Sequence, residues 1–145
     1  IYAPAVDELF LATEDSEATC NGEPIRVSDI RGLDEAMVMS GLEKSVIPGL
    51  EAYTILNAIA ANVQKGRVMG SAALDMCCVA RGQAEGYFEA GIFTWDVSAA
   101  ALIVRRAGGR TELLKHLAAP HRLCFLATNG HIHRALREIV EPLLG

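Results

Sequence analysis

The stretch from Glu89 to Gly109, EAGIFTWDVSAAALIVRRAGG, constrains the fold of this chain more than any other. Glu89 ends a strand-like run, EGYFE at 85–89. Trp95 and Asp96 follow, and apolar or small residues then continue without a break to Val104. The segment closes on Arg105-Arg106-Ala107-Gly108-Gly109. It reads as strand, short loop, helix and stop. A helix this apolar must be buried on most sides, and a glycine pair is a common way to end one. The acid Asp96 lies in the first turn. With Thr94 as N-cap it takes the second helical position, where a carboxylate gains about 0.3–1 kcal/mol from the helix dipole. That reading asks for no function. The other is that the dipole keeps Asp96 ionised at the edge of a cleft, where its oxygens can ligate a hard cation.

A second buried helix is expected at 72–80, AALDMCCVA, closed by Gly82. Before it stands Gly70-Ser71, a strand–glycine–helix junction. Ser71 is a natural N-cap there. Free N–H groups at such a helix start also receive an anion or hydroxyl, and glycine allows close approach. Asp75 lies inside this apolar helix and is expected to be satisfied or to face another segment. Glu89, at a strand end, is either solvent-exposed or placed to bond a substrate hydroxyl. Glu85 shares its face, two and four residues being even spacings on a strand, and receives no role.

The rest of the chain supplies further elements. Ile1-Tyr2 and Glu8–Thr13 flank a Pro4/Asp7 turn, and Ala18–Cys20 and Ile25–Val27 flank the two-residue turn Asn21-Gly22. Ser28-Asp29 opens a loop or short helical turn, and Ala36–Ser40 is a short buried strand. Gly41–Ile47 is loop. Helical spacing runs from Pro48 to Val63, with Gly66 as its end. Arg67–Met69, Arg110–Glu112 and Leu123–Ala127 are strands, Leu113–His121 reads as a turn of helix or a loop, and Ile132–Leu144 is an amphipathic helix. Alternating strands and helices indicate an α/β (α+β) domain, a mixed β-sheet flanked by helices.

Composition removes several classes of function. At 145 residues and 51% apolar, the chain is one domain with a real core. A net charge of −5 with scattered arginines disfavours nucleic acid as principal ligand. No run is long and apolar enough to span a bilayer, so no membrane partner is expected. The four cysteines, at 20, 77, 78 and 124, show no CxxC spacing and read as free thiols of a cytoplasmic protein. The four histidines lack zinc spacing, and no nucleophile elbow, P-loop or dinucleotide fingerprint occurs. The opening Ile1-Tyr2-Ala3-Pro4 is already strand-like and carries no methionine, so further sequence upstream is expected.

Singly, none of these features decides a function. Their order does more. G-S-A-A-L-D-x-C at 70–77 precedes G-Y-F-E at 86–89, and six residues after Glu89 begins W-D-V-x-A-A-x-L-I-V-x-x-A-G-G. This series resembles the carboxyl-terminal half of the inositol monophosphatase family, the lithium-sensitive, magnesium-dependent phosphatases. The segment N-G-E-P-I-R-V-S at 21–28 is similar to the family's N-G-x-P-I-x-V-S. The resemblance covers essentially the whole chain. Ser98 departs from the family's usual alanine or cysteine, and the segment from Thr111 to Leu123 looks shorter than usual.

The resemblance implies the C-terminal domain of a layered αβαβα fold. It implies Asp96 as a metal ligand, Glu89 as the group that binds a substrate hydroxyl, and Gly70, Ser71 and Ala72 as contacts to the substrate ring. Trp95 is expected to pack behind Asp96 and fix its direction. The implied reaction is hydrolysis of a phosphate monoester with Mg²⁺ ions that hold the phosphate, activate a water and stabilise the leaving alkoxide. The substrate class is a small phosphorylated polyol or sugar, with inositol phosphate favoured over fructose-1,6-bisphosphate, histidinol phosphate or a nucleotide 3′-phosphate. A homodimer is also implied. The family's D-P-[IL]-D-G-T segment, which supplies most of its metal carboxylates, is not present in residues 1–145. The expectation is therefore a substrate wall with one metal ligand, inactive without an amino-terminal metal-binding half. The alternative is a non-catalytic interaction or regulatory module that keeps the fold.

Overall fold

The computed structural model describes residues 1–42 and 47–145. Four short strands come first: β1 (Tyr2–Ala3), β2 (Glu8–Leu11), β3 (Thr19–Cys20) and β4 (Glu23–Pro24). They form one antiparallel sheet in sequence order. Asn21 and Gly22 both take positive φ, as the two-residue turn between β3 and β4 requires. Residues 25–27 extend beyond β4 without joining a sheet strand, bonding instead through Ile25 N to Ala18 O and Val27 N to Ala107 O. The helical turn near Ser28 lies later, as a 3₁₀ turn at Leu33–Glu35.

The second sheet is mixed, in the order β6-β5-β7-β9-β8. It comprises β5 (Met37–Ser40), β6 (Lys65–Arg67), β7 (Gly86–Phe93), β8 (Arg110–His116) and β9 (Arg122–Thr128). Strand β5 is parallel to β6 and β7, and β9 is antiparallel to β7 and β8. Helices α1 (Ala52–Ala60) and α4 (His133–Val140) cover one face, where Ile55, Ile59, Leu136 and Val140 meet Val38, Phe88 and Leu126. Helices α2 (Ala72–Ala80) and α3 (Thr94–Arg106) cover the other, where Met76, Val79, Ala100 and Val104 meet Met39, Tyr87 and Phe125. Phe10 and Ala18 of the small-sheet region join this second core. The architecture is the mixed sheet flanked by helices that the alternating pattern predicts.

Several boundaries differ from the sequence reading. Part of the expected loop 41–47 lies outside the described residues. Pro48 and Gly49 sit in a turn and α1 begins at Ala52, so the helix is shorter at both ends than its apolar spacing. Gly66 lies inside β6, not at a helix end, and Val68 and Met69 are exposed beyond that strand. Leu113–His116 is strand, neither helix nor loop. Its alternation is hidden by an irregularity between Leu113 and Lys115, where the pairing with β9 shifts register.

Glu85, to which the sequence gives no role, is a buried structural bolt. Its Oε1 accepts from the Ser28 hydroxyl at 2.8 Å and its Oε2 from the Met37 amide at 2.7 Å. Asn129 completes the junction by donating to the Ile30 carbonyl at 2.7 Å. Glu85→Gln leaves one of these donors facing an amide N–H₂. The expected loss is about 1–2 kcal/mol of unfolding free energy, read from urea titrations.

Candidate active site

The site is built where β7 runs into α3. On an unbroken strand, side chains 87, 89 and 91 would share one face and 88, 90 and 92 the other. Gly91, at φ 95°, sits at a register shift between Ala90 and Ile92. Ile92 thereby joins Tyr87 on the α2/α3 side, while Phe88 and Ala90 face α1 and α4. The bulge lets the strand continue through Phe93, directly into α3, with no intervening loop. This corrects the expected short loop. Gly91 makes a bulge that re-aims the strand end.

Asp96 follows in the first turn of α3, at its third residue. The N-cap is Phe93, without a side-chain cap bond, so Thr94 is not the cap. The Thr94 hydroxyl instead donates to the His121 carbonyl at 3.2 Å, tying the helix start to the turn before β9. Trp95 does not pack behind Asp96. It is 62% exposed and stacked on Phe93 with centroids 4.7 Å apart, while the Arg122 guanidinium lies 4.0 Å from the Phe93 ring centre. The exposed Ser98 donates to the Thr94 carbonyl at 2.6 Å, a bond available to serine and not to the family's alanine. Nor is α3 buried all round: Thr94, Trp95, Ser98 and Ala99 lie on its open side.

Across from it, α2 starts as the junction predicts. Ser71 is the N-cap, its hydroxyl accepting from the Leu74 amide, and Gly70 before it has φ 86°. One turn on, Asp75 points the same way as Ser71 and Ala72, at the i+4 and i+3 spacings of one helix face.

These pieces meet around one cavity of about 490 Å³. Gly70, Ser71, Ala72, Glu89, Trp95 and Asp96 all line it, so the structure brings together every expected site residue except Thr94. Gly41, Leu42, Val68, Asp75 and Ile92 add to the wall. Every charged side chain among the described lining residues is acidic: Asp75, Glu89 and Asp96. Asp96 is the partly exposed one, while Asp75 and Glu89 are buried. The Tyr87 hydroxyl donates to Glu89 Oε2 at 2.7 Å. Burial, followed by the charge of Glu89, pushes the Tyr87 hydroxyl far above the usual phenol range. Burial, and then the Glu89 charge, raises Asp75 to about 7. Asp75 Oδ1 has no hydrogen-bond partner among the described residues, so of the two expectations for this acid, satisfied or facing another segment, the first does not hold for that oxygen.

Gly41 is a residue the sequence reading passed over as loop. A Cβ built there would collide with the Glu89 carboxylate. Glu89 is confined by burial and by Tyr87, so it cannot simply swing aside. Gly41→Ala is expected to displace the carboxylate and raise KM for a hydroxylated substrate about tenfold, the size of one lost charged hydrogen bond. Unfolding midpoints for the same variant check that the fold is intact.

Among the described residues, no group of three or more His, Cys, Asp or Glu is arranged to hold a metal ion. His133 is buried between Thr128 Oγ1 and Glu112 Oε2, both at 2.9 Å. The four cysteines are free, and burial raises the Cys77 thiol to about 12, which makes it a poor nucleophile. No helix among the described residues is long and apolar enough to cross a membrane.

The profile of the inositol monophosphatase family matches residues 1–142. The chain belongs to the inositol monophosphatase family. It is 37% identical to an inositol-1-monophosphatase of Synechocystis, over 95% of this chain and 49% of that protein. It is 35% identical to a Pasteurella multocida protein named Nus factor SuhB, over 99% of this chain and 52% of that one. Among solved structures, an inositol monophosphatase from Anabaena superposes with a TM-score of 0.87 at 35% identity, covering 98% of this chain and 57% of its own. The chain thus spans about half the length of the curated relatives it matches.

Proposed function

We propose that this chain forms the substrate wall of a Mg²⁺-dependent phosphatase acting on a monophosphate of inositol or a related polyol. The observation that carries the reading is the cavity: Asp75, Glu89 and Asp96 converge on it with the α2 amino terminus, and its charged side chains among the described residues are all acidic. A phosphate dianion is repelled by such a lining unless divalent cations lie between. Magnesium, when bound, supplies that neutralisation and a more acidic water. Asp96, first-turn and partly exposed, is the residue placed to ligate it. One carboxylate holds Mg²⁺ weakly, so the reading requires further oxygen ligands from outside residues 1–145. Glu89 accepts a ring hydroxyl, held in position by Tyr87 and by the space Gly41 leaves. The Ser71 end of α2 borders the ring. The free thiols support a cytoplasmic setting, and the family resemblance supports a homodimer.

The test is phosphate release from myo-inositol 1-phosphate, with and without Mg²⁺, by the natural protein carrying these residues and by its Asp96→Asn and Glu89→Gln variants. Magnesium-dependent release that both variants impair is the expected result. Release indifferent to Mg²⁺ would sink the reading. The second reading, a non-catalytic interaction module, has no use for a buried acid pair facing an open cavity, and the Asp75 geometry disfavours it.

A further inference from the structure

The tyrosine-held carboxylate of Glu89 does not account for all the buried polarity of the cavity. Asp75 is 1% exposed, and its Oδ1 lacks a partner among the described residues. A buried acceptor without a partner costs stability, and in a native fold it calls for a reason, a functional site being one. Asp75 does not stand at random: it lines the same cavity as Glu89, on the helix face that carries Ser71 and Ala72 toward that cavity.

We propose that Asp75 is a second substrate-binding residue, whose Oδ1 takes a ring hydroxyl other than the one bound by Glu89. The pair would then make the site specific for ligands with at least two suitably placed hydroxyls. This inference rests on the phosphatase reading of the cavity given above. A hydroxyl suits the position better than a cation. It satisfies one oxygen as donor or acceptor, whereas a metal ion would demand ligands that the described residues do not group there. A hydroxyl-bonding site also discriminates strongly against analogues that lack the hydroxyl, because the buried oxygen is then left unpaired.

The experiment measures equilibrium binding of myo-inositol and its monodeoxy analogues by saturation-transfer NMR titration. The proteins are the natural protein and its Asp75→Ala, Asp75→Asn and Glu89→Gln variants. Asp75→Ala is expected to weaken myo-inositol about tenfold, and Asp75→Asn, which keeps an acceptor oxygen, to recover most of that loss. One monodeoxy analogue should bind the natural protein about tenfold more weakly than myo-inositol. The same analogue should lose nothing further in Asp75→Ala, while a different analogue is the one made redundant by Glu89→Gln. A purely structural Asp75 would weaken all analogues alike, and that result overturns the inference. Loss in Glu89→Gln with none in Asp75→Ala overturns it while leaving the reading of the cavity intact. No saturable binding of myo-inositol by the natural protein overturns both.

Discussion

Replacing Asp96 by asparagine should lower kcat/KM for magnesium-dependent phosphate release by about a hundredfold to a thousandfold, or about 3–4 kcal/mol of transition-state stabilisation. The amide has the size of the carboxylate and keeps one oxygen acceptor, but it loses the negative charge that a hard divalent cation selects. The loss should come with a shift of the Mg²⁺ dependence to higher concentration. The fold should barely respond. Asp96 is partly exposed, and its contribution to stability through the α3 dipole is on the order of 0.3–1 kcal/mol. Phosphate release across a Mg²⁺ series, paired with urea unfolding, separates the two effects. Unchanged release in Asp96→Asn would remove Asp96 from the metal site. An equally large fall in stability would assign the lost activity to the fold.

The parts of the molecule legible in the sequence are those whose signal is local. Helices α2 and α3 are long apolar runs stopped by glycine, and the Ser71 cap and the Asn21-Gly22 turn each depend on one or two residues. The grouping of Glu89 with Asp96 and with Gly70–Ala72 was legible only through the order of the motifs, since spacing along a chain does not say which strand end faces which helix. What escaped depends on tertiary placement. A short loop was expected after Glu89, and only pairing with β9 makes Gly91 a bulge that carries the strand on to Phe93. The role of Gly41 exists because Glu89 occupies the volume its Cβ would need. The resemblance implied Trp95 behind Asp96, yet Phe93, preceding the helix, offers it a stacking partner on the open side. Asp75 sits in a run apolar enough to imply a satisfied core acid. Its missing partner is a property of the cavity and not of α2.

That missing partner should be visible in the pH dependence of stability. Asp75 is raised from 3.8 to about 7, first by burial and then by the charge of Glu89. Between those values the folded protein holds a proton on Asp75 that the unfolded chain has released. Proton binding is then greater in the folded state, so this group's contribution to stability falls as pH rises through the window, and the penalty is complete above about 7. Asparagine cannot ionise, so Asp75→Asn removes this slope. The variant should match the natural protein near about pH 4 and exceed it above about pH 7 by about 2–4 kcal/mol, the free energy that separates a carboxyl titrating at 3.8 from one titrating at about 7. Urea unfolding of the two proteins across that pH range measures it, and stability curves that run parallel from acid to neutral would show that Asp75 is not held out of solvent in the way the cavity indicates. A stabilised Asp75→Asn protein beside an Asp75→Ala protein that binds the polyol ring less tightly would carry the signature of a site residue, since stability gained by removing a buried charge at a position needed for binding is the exchange expected where a fold keeps an unsatisfied acid for its ligand.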